Sequence, residues 1–172
     1  MKILPIHRNF IIINQVIIAT VFNFLINSGI AWVLYRHVDQ IPLWGLKGIA
    51  MDTITTAFIL TLLSYYYIAL SVWFTMKIKW LPVIENYPTV GIVSKFIRLP
   101  IFVQGIIFGI LATLLISLPV ILFLFLTRTQ SMPYESFFWY KAIFGAALSL
   151  IVSPPIGLLS ILDFSRRRKL IQ

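Results

Sequence analysis

The polar side chains that could do chemistry in this chain stand inside long apolar runs. Asn23 and Asn27 are spaced i, i+4, with Ala19 and Ala31 on the same helical face. Asp52 is followed one turn later by Thr56, and Lys141 stands early in the last apolar run. An amide or a charge in lipid is costly unless it is paired, so these faces should point into protein. At a helical rise of about 1.5 Å per residue, Asp52 and Lys141 each lie roughly 13 Å outward of their run's centre. Asn27 lies deeper and Asn23 near the middle. The two charges can meet at the outer edge of the hydrocarbon, although Lys47 and Arg36 are alternative partners for Asp52. Two readings stay open at this stage: a structural ion pair, and a functional polar site near the outer face.

Other chemistry is missing. The chain has no cysteine, which excludes thiol catalysis, thiolate metal sites and iron–sulfur ligation. His7 and His37 fall on opposite sides of the first apolar run and cannot form an axial haem pair. No HExxH, carboxylate cluster or Walker loop occurs. Asp39, Glu85, Glu135 and Asp163 read as interfacial caps or solvated charges. The expectation is therefore no enzyme, no cofactor and no metal.

The elements that must position these residues follow from composition. The 172 residues are 60% hydrophobic and 11% charged, against roughly 45–50% and 25% in soluble domains. Four apolar stretches cover about residues 10–34, 49–73, 99–126 and 138–162. Each meets the roughly 20 residues that a helix needs to cross a hydrocarbon core. Only helices fit, because strict alternation over ten-residue segments is absent and lipid cannot satisfy open backbone groups. The first stretch reads as an uncleaved signal-anchor. The chain is thus expected to be all-α: one polytopic domain, 1–172, of four transmembrane helices in two antiparallel hairpins. It places the protein in a membrane, with the lipid bilayer as its first partner.

Charge sets the expected orientation. The net charge of +9 could serve nucleic acid, but the basic residues gather beside the apolar runs, so no nucleic-acid partner is expected. Lys2, Arg8, Lys77, Lys79, Lys95, Arg98, Arg166, Arg167, Arg168 and Lys169 lie on one side, which makes ten. Arg36, Lys47, Arg128 and Lys141 lie on the other, which makes four. The positive-inside rule puts both termini and the middle loop, about residues 75–98, in the cytoplasm. All five tryptophans (Trp32, Trp44, Trp73, Trp80 and Trp139) fall at run ends or in loops, where indoles prefer the headgroup level. In the middle loop, broken by Pro82 and Pro88, Thr89–Arg98 suits one short surface helix. It would turn Val90, Val93 and Ile97 inward and Lys95 and Arg98 outward.

Small residues recur every four positions in two runs: Gly105, Gly109, Thr113 and Ser117, then Gly145, Ser149, Ser153 and Gly157. Such stripes let helix backbones approach closely, so Gly105, Gly109, Gly145 and Ser149 are expected at helix contacts. Pro154–Pro155 should kink the fourth helix. Pro42 and Pro133 precede the second and fourth runs, each followed by a lysine, Lys47 and Lys141, as in a duplicated hairpin.

The run Phe22-Asn23-Phe24-Leu25-Ile26-Asn27, with Ile30-Ala31-Trp32, resembles the first helix of an uncharacterised family of small four-helix bacterial membrane proteins. Ile41-Pro42-Leu43-Trp44-Gly45, then Ile49, Asp52, Thr56 and Phe58-Ile59-Leu60, resembles its second segment. Tyr140-Lys141-Ala142-Ile143-Phe144 with Pro155 resembles its last helix. The chain departs from the pattern at Thr61, where the family has Pro, and at Lys47 or Gly48, where it has Ser. The family has no established activity. The resemblance implies that Asn23, Asn27, Asp52, Thr56 and Lys141 belong to one recurring polar pattern. Two functions follow as expectations: an oligomeric channel or transporter, or a non-catalytic subunit of a membrane complex that packs on partner helices.

Overall fold

The computed structural model describes residues 4–84 and 90–169. Lys2, Glu85, Pro88 and Thr89, used in the sequence reading, lie outside the described residues. The chain is mostly helical, and four of its helices are long and apolar enough to cross a membrane. These are α1 (Pro5–Tyr35), α2 (Ile49–Lys77), α4 (Ile101–Leu126) and α5 (Tyr134–Lys169). A short α3 (Ile92–Phe96) stands between the middle pair. The helices outrun the apolar stretches because backbone bonding continues into polar flanks. In α5 it carries Arg166–Arg168 on the last turns.

Pairing between the helices does not follow chain order. α1 packs on α5, α5 packs on α2, and α2 packs on α4. The consecutive helices α1 and α2 are not among the main packed pairs, nor are α4 and α5. Neighbours along the chain are therefore not the main packing partners, for a steric reason. α5 carries small residues on its inner face, so two helices can close on it, and half of its most apolar stretch is buried against 22% for α1 and α4. Ser149 and Ser153 are fully buried and share a 3.3 Å contact between their hydroxyls. On α4, a Cβ added to Gly105 would meet Leu62 at 3.0 Å, and one added to Gly109 would meet Phe58 at 2.9 Å. These stripes are used up inside the bundle.

Two segments read as plain loops form an antiparallel ribbon, β1 (Gln40–Pro42) with β2 (Ser131–Pro133), in the register Ile41↔Met132. Leu43 N–H donates to Gln130 O at 2.8 Å and extends the link. Ile41 and Leu43 are buried with Ile49, Phe137 and Tyr35 in a second apolar cluster that closes this end of the bundle. Gly48 is required where β1 turns into α2, because a Cβ there would stand 2.7 Å from the Trp44 carbonyl.

At the other end, three expectations are corrected. His7 is fully buried rather than surface-exposed, its Nε2 lying 2.8 Å from Pro82 O. Asp163 is buried rather than solvated. It accepts from Arg167 Nε and Nη2 at 3.0 and 2.9 Å and from Arg166 Nη2 at 3.1 Å. Burying that carboxylate is tolerable because two guanidinium groups satisfy it. Around α3, Val90 and Val93 are exposed rather than inward and Ser94 is buried, because the helix starts at Ile92, later than the spacing indicated, while Ile97 is buried as expected. Lys95 and Arg98 are exposed as expected. α5 remains helical through Pro154 and Pro155. Those prolines line one cavity together with Ile11 and Ile12, which open a seven-residue π-helical stretch of α1.

Candidate functional site

Because α1 and α2 both pack mainly on α5 and are bonded to each other toward their ends, Tyr35 to Asp52 and Gln15 to Ser71, a groove opens between them. It has a volume of about 470 Å³ and is floored near one end by Lys141 of α5. Its walls are apolar over most of their length, from Ile18, Phe22, Ile26 and Leu34 on α1 and Ile59, Leu63 and Tyr67 on α2. Phe22 and Leu63 are exposed along the rim, so the groove is open on its side. All five polar residues singled out in the sequence line it: Asn23, Asn27, Asp52, Thr56 and Lys141.

Each of them is placed by its helix. Asp52 stands in the first turn of α2, where a carboxylate complements the helix dipole. Lys141, about two turns into α5, is 3% exposed. Its Nζ donates to Asp52 Oδ1 at 2.5 Å, to Oδ2 at 2.6 Å and to Thr56 Oγ1 at 3.2 Å. The ammonium has three protons and three acceptors, so it is saturated. Asp52 also accepts from Tyr35 O–H at 3.4 Å. Neither Lys47 nor Arg36 is its partner; Arg36 instead donates to His37 at 3.0 Å and lies over the Trp32 ring.

Asn27 is buried where α1 crosses α5. Its Nδ2 donates to Asn23 O at 2.8 Å. A Cβ on Gly145 would stand 2.2 Å from that same Nδ2, so Gly145 is the space that admits the amide. Asn27 Oδ1, the Asn23 amide and the Thr55 hydroxyl have no hydrogen-bond partner among the described residues. The Ser64 and Tyr67 hydroxyls line the groove further along α2, so the site combines a neutralised ion pair with spare hydrogen-bonding groups spread along the groove wall.

Sequence reasoning missed several members. Thr53 donates to Ile49 O at 2.6 Å, so the 2.7 Å contact with Tyr140 has the tyrosine O–H as donor. Tyr35, Thr53, Tyr140 and Thr55 neighbour the chosen residues in sequence or close the same end, but nothing in their spacing distinguishes them from interfacial aromatics and helix hydroxyls. Elsewhere Tyr65 O–H donates to Gln104, and Gln15 donates to Ser71 at 3.1 Å. Both pairs join helices away from the groove's polar end. Among the described residues no group of His, Asp or Glu is arranged to hold a metal ion.

Compared with known proteins, the chain matches no family model, no curated protein and no solved structure. What can be stated plainly is the class: a helical protein with four helices suited to crossing a membrane.

Proposed function

We propose that this chain is a multi-pass membrane protein of transport type that takes its ligand in the groove between α1 and α2. The observation that carries the reading is the collection of Asn23, Asn27, Asp52, Thr56 and Lys141 on that one groove. A polar lining aimed at the side of the bundle suits a ligand entering from the bilayer or its surface. It does not suit an axial pore, since the helices enclose a packed core instead. In this reading the loops that carry β1 and β2 face outward, both termini face the cytoplasm, and the helices run as two antiparallel hairpins whose members splay apart. The subunit reading loses its main support, because the glycine stripes that were to hold partner helices are filled by Phe58, Leu62 and Asn27.

The absence of cysteine makes the test clean. Thr55→Cys, in the full chain in membranes, should react with a membrane-impermeant maleimide added outside, since thiolate forms only where water reaches. Leu115→Cys on the exposed face of α4 is the unreactive control. Equal inertness of the two would overturn the polar site. Conductance steps in planar bilayers that vanish in Asp52→Asn would overturn the groove as the route, in favour of a channel.

A further inference from the structure

A second opening lies at the end of the bundle opposite Asp52 and Lys141. It is a cleft of about 520 Å³ between the start of α1 and residues 154–158 of α5, and it shares no residue with the groove. That volume is within the roughly 300–1,000 Å³ of small-molecule sites. Ile11, Ile12, Pro154, Pro155 and Leu158 give it apolar walls, and Arg8 is the one charged side chain that lines it. Ile12 is 46% exposed, so the cleft is open on its side.

Charge is unbalanced at this place. His7 is buried, with its Nε2 2.8 Å from Pro82 O, and that contact pins the first turn of α1. Arg8 follows it, is exposed, and has no hydrogen bond, ion pair or ring contact among the described residues. Asp163 is the one described carboxylate at this end of the bundle, and Arg166 and Arg167 already hold it. No described group of the chain is left to neutralise Arg8, so its counter-charge has to come from outside.

Depth selects the source. Trp32, exposed near the far end of α1, marks one headgroup boundary. A core of about 30 Å takes about 20 residues of helix at about 1.5 Å each, which brings Ile12 to the opposite boundary. Arg8 stands one turn further out, about 6 Å beyond the hydrocarbon. A Cβ on Gly157 would meet Ile11 at 3.4 Å, so α5 crosses the same boundary beside the cleft, and Pro154 and Pro155 lie just inward of it. The cleft thus straddles the boundary, with its cation on the headgroup side and apolar walls below. A water-borne anion would use the guanidinium and leave those walls bare. A phospholipid uses both, because its phosphate stands at headgroup level and its acyl chains begin beneath. Guanidinium groups take phosphate oxygens in pairs, and basic pockets between membrane helices suit anionic headgroups. A zwitterionic lipid brings its own cation to the phosphate and gains less from Arg8.

We propose that this cleft binds one anionic phospholipid of the bilayer, with its phosphate on Arg8 and an acyl chain against Pro155 and Leu158. The site is independent of the groove and of what the groove binds.

The full chain, stripped of lipid in nonionic detergent micelles, is offered equal amounts of phosphatidylglycerol and phosphatidylcholine with the same acyl chains. Lipid retained by the protein is counted by native mass spectrometry. The wild type should keep phosphatidylglycerol over phosphatidylcholine by about tenfold, or about 1.4 kcal/mol. Arg8 is exposed, so Arg8→Gln leaves the fold intact, and it should remove that preference. Arg98→Gln, exposed at the same end but not on the cleft, should keep it. Leu158→Trp, which fills the cleft and retains Arg8, should lower retention of both lipids. No preference in the wild type overturns the site, as does unchanged retention in Leu158→Trp. Equal loss in Arg8→Gln and Arg98→Gln overturns it in favour of diffuse surface charge. Displacement of the bound lipid by inorganic phosphate overturns it in favour of a water-borne anion.

Discussion

Lys141 with three acceptors and Asp52 with two donors form a closed set, and closed sets fail when one member is removed. Breaking a buried pair by deleting one partner costs about 3–5 kcal/mol, because the remaining charge is left uncompensated. Asp52→Asn and Lys141→Met should therefore each lower the unfolding free energy by about that amount, as read by denaturant unfolding in mixed micelles. The double variant should recover most of the loss, since removing both charges together is often nearly neutral. Additive losses would show that the two side chains act separately. Thr56 contributes the weakest of the three bonds, so Thr56→Val should cost only about 1 kcal/mol. The sequence marked these residues through the cost of charge in lipid. Matching depth pointed to Lys141 over Lys47 or Arg36, although those two are closer to Asp52 along the chain, and the ion pair is with Lys141.

At the scale of elements, the glycine stripes decide which helices touch. Gly145→Ala would drive a Cβ into the Asn27 amide at 2.2 Å, forcing α1 off α5 or breaking the bond from Asn27 to Asn23. Gly109→Leu would meet Phe58 at 2.9 Å and push α4 off α2. Overpacking of this kind costs about 1–3 kcal/mol, or more where backbone must move. Both variants should unfold earlier on heating in detergent. Gly29 is the internal control, because nothing lies within 4 Å of a Cβ placed there. Gly29→Ala should be neutral or stabilising by up to about 1 kcal/mol, since alanine favours the helix. Equal loss at Gly29 and Gly145 would separate the effect from packing. The stripes were legible because spacing of four is helical geometry. Their partners were not, because Asn27, Phe58 and Leu62 lie far away in sequence and belong to helices chosen by the fold.

For the whole molecule, the ends of the helices carry opposite chemistry. One end is closed by the β1–β2 ribbon and its apolar cluster. The other is tied by His7, Arg166 and Arg168, which bond Pro82 O, Ile97 O and Met76 O. That second end holds most of the basic side chains, so it should face the cytoplasm. A fluorescent protein fused after Gln172 should be bright, and alkaline phosphatase fused there should be inactive. The reverse pattern would invert the bundle and place the Asp52–Lys141 end inside.

Composition and period by themselves determined four helices of membrane-spanning length, the stretches they occupy, and the five polar residues that cannot be left to lipid. These follow from local physics: backbone satisfaction in hydrocarbon, a rise of about 1.5 Å per residue, and the cost of a bare charge. The order in which the helices pack was beyond that reach. So were the burial of His7 and Asp163, the ribbon between two loops, and the groove left when α1 and α2 both chose α5. Those depend on which faces find each other across the bundle. A four-residue stripe accepts any helix that fits it, and only the folded structure shows that Asn27 is the side chain seated at Gly145.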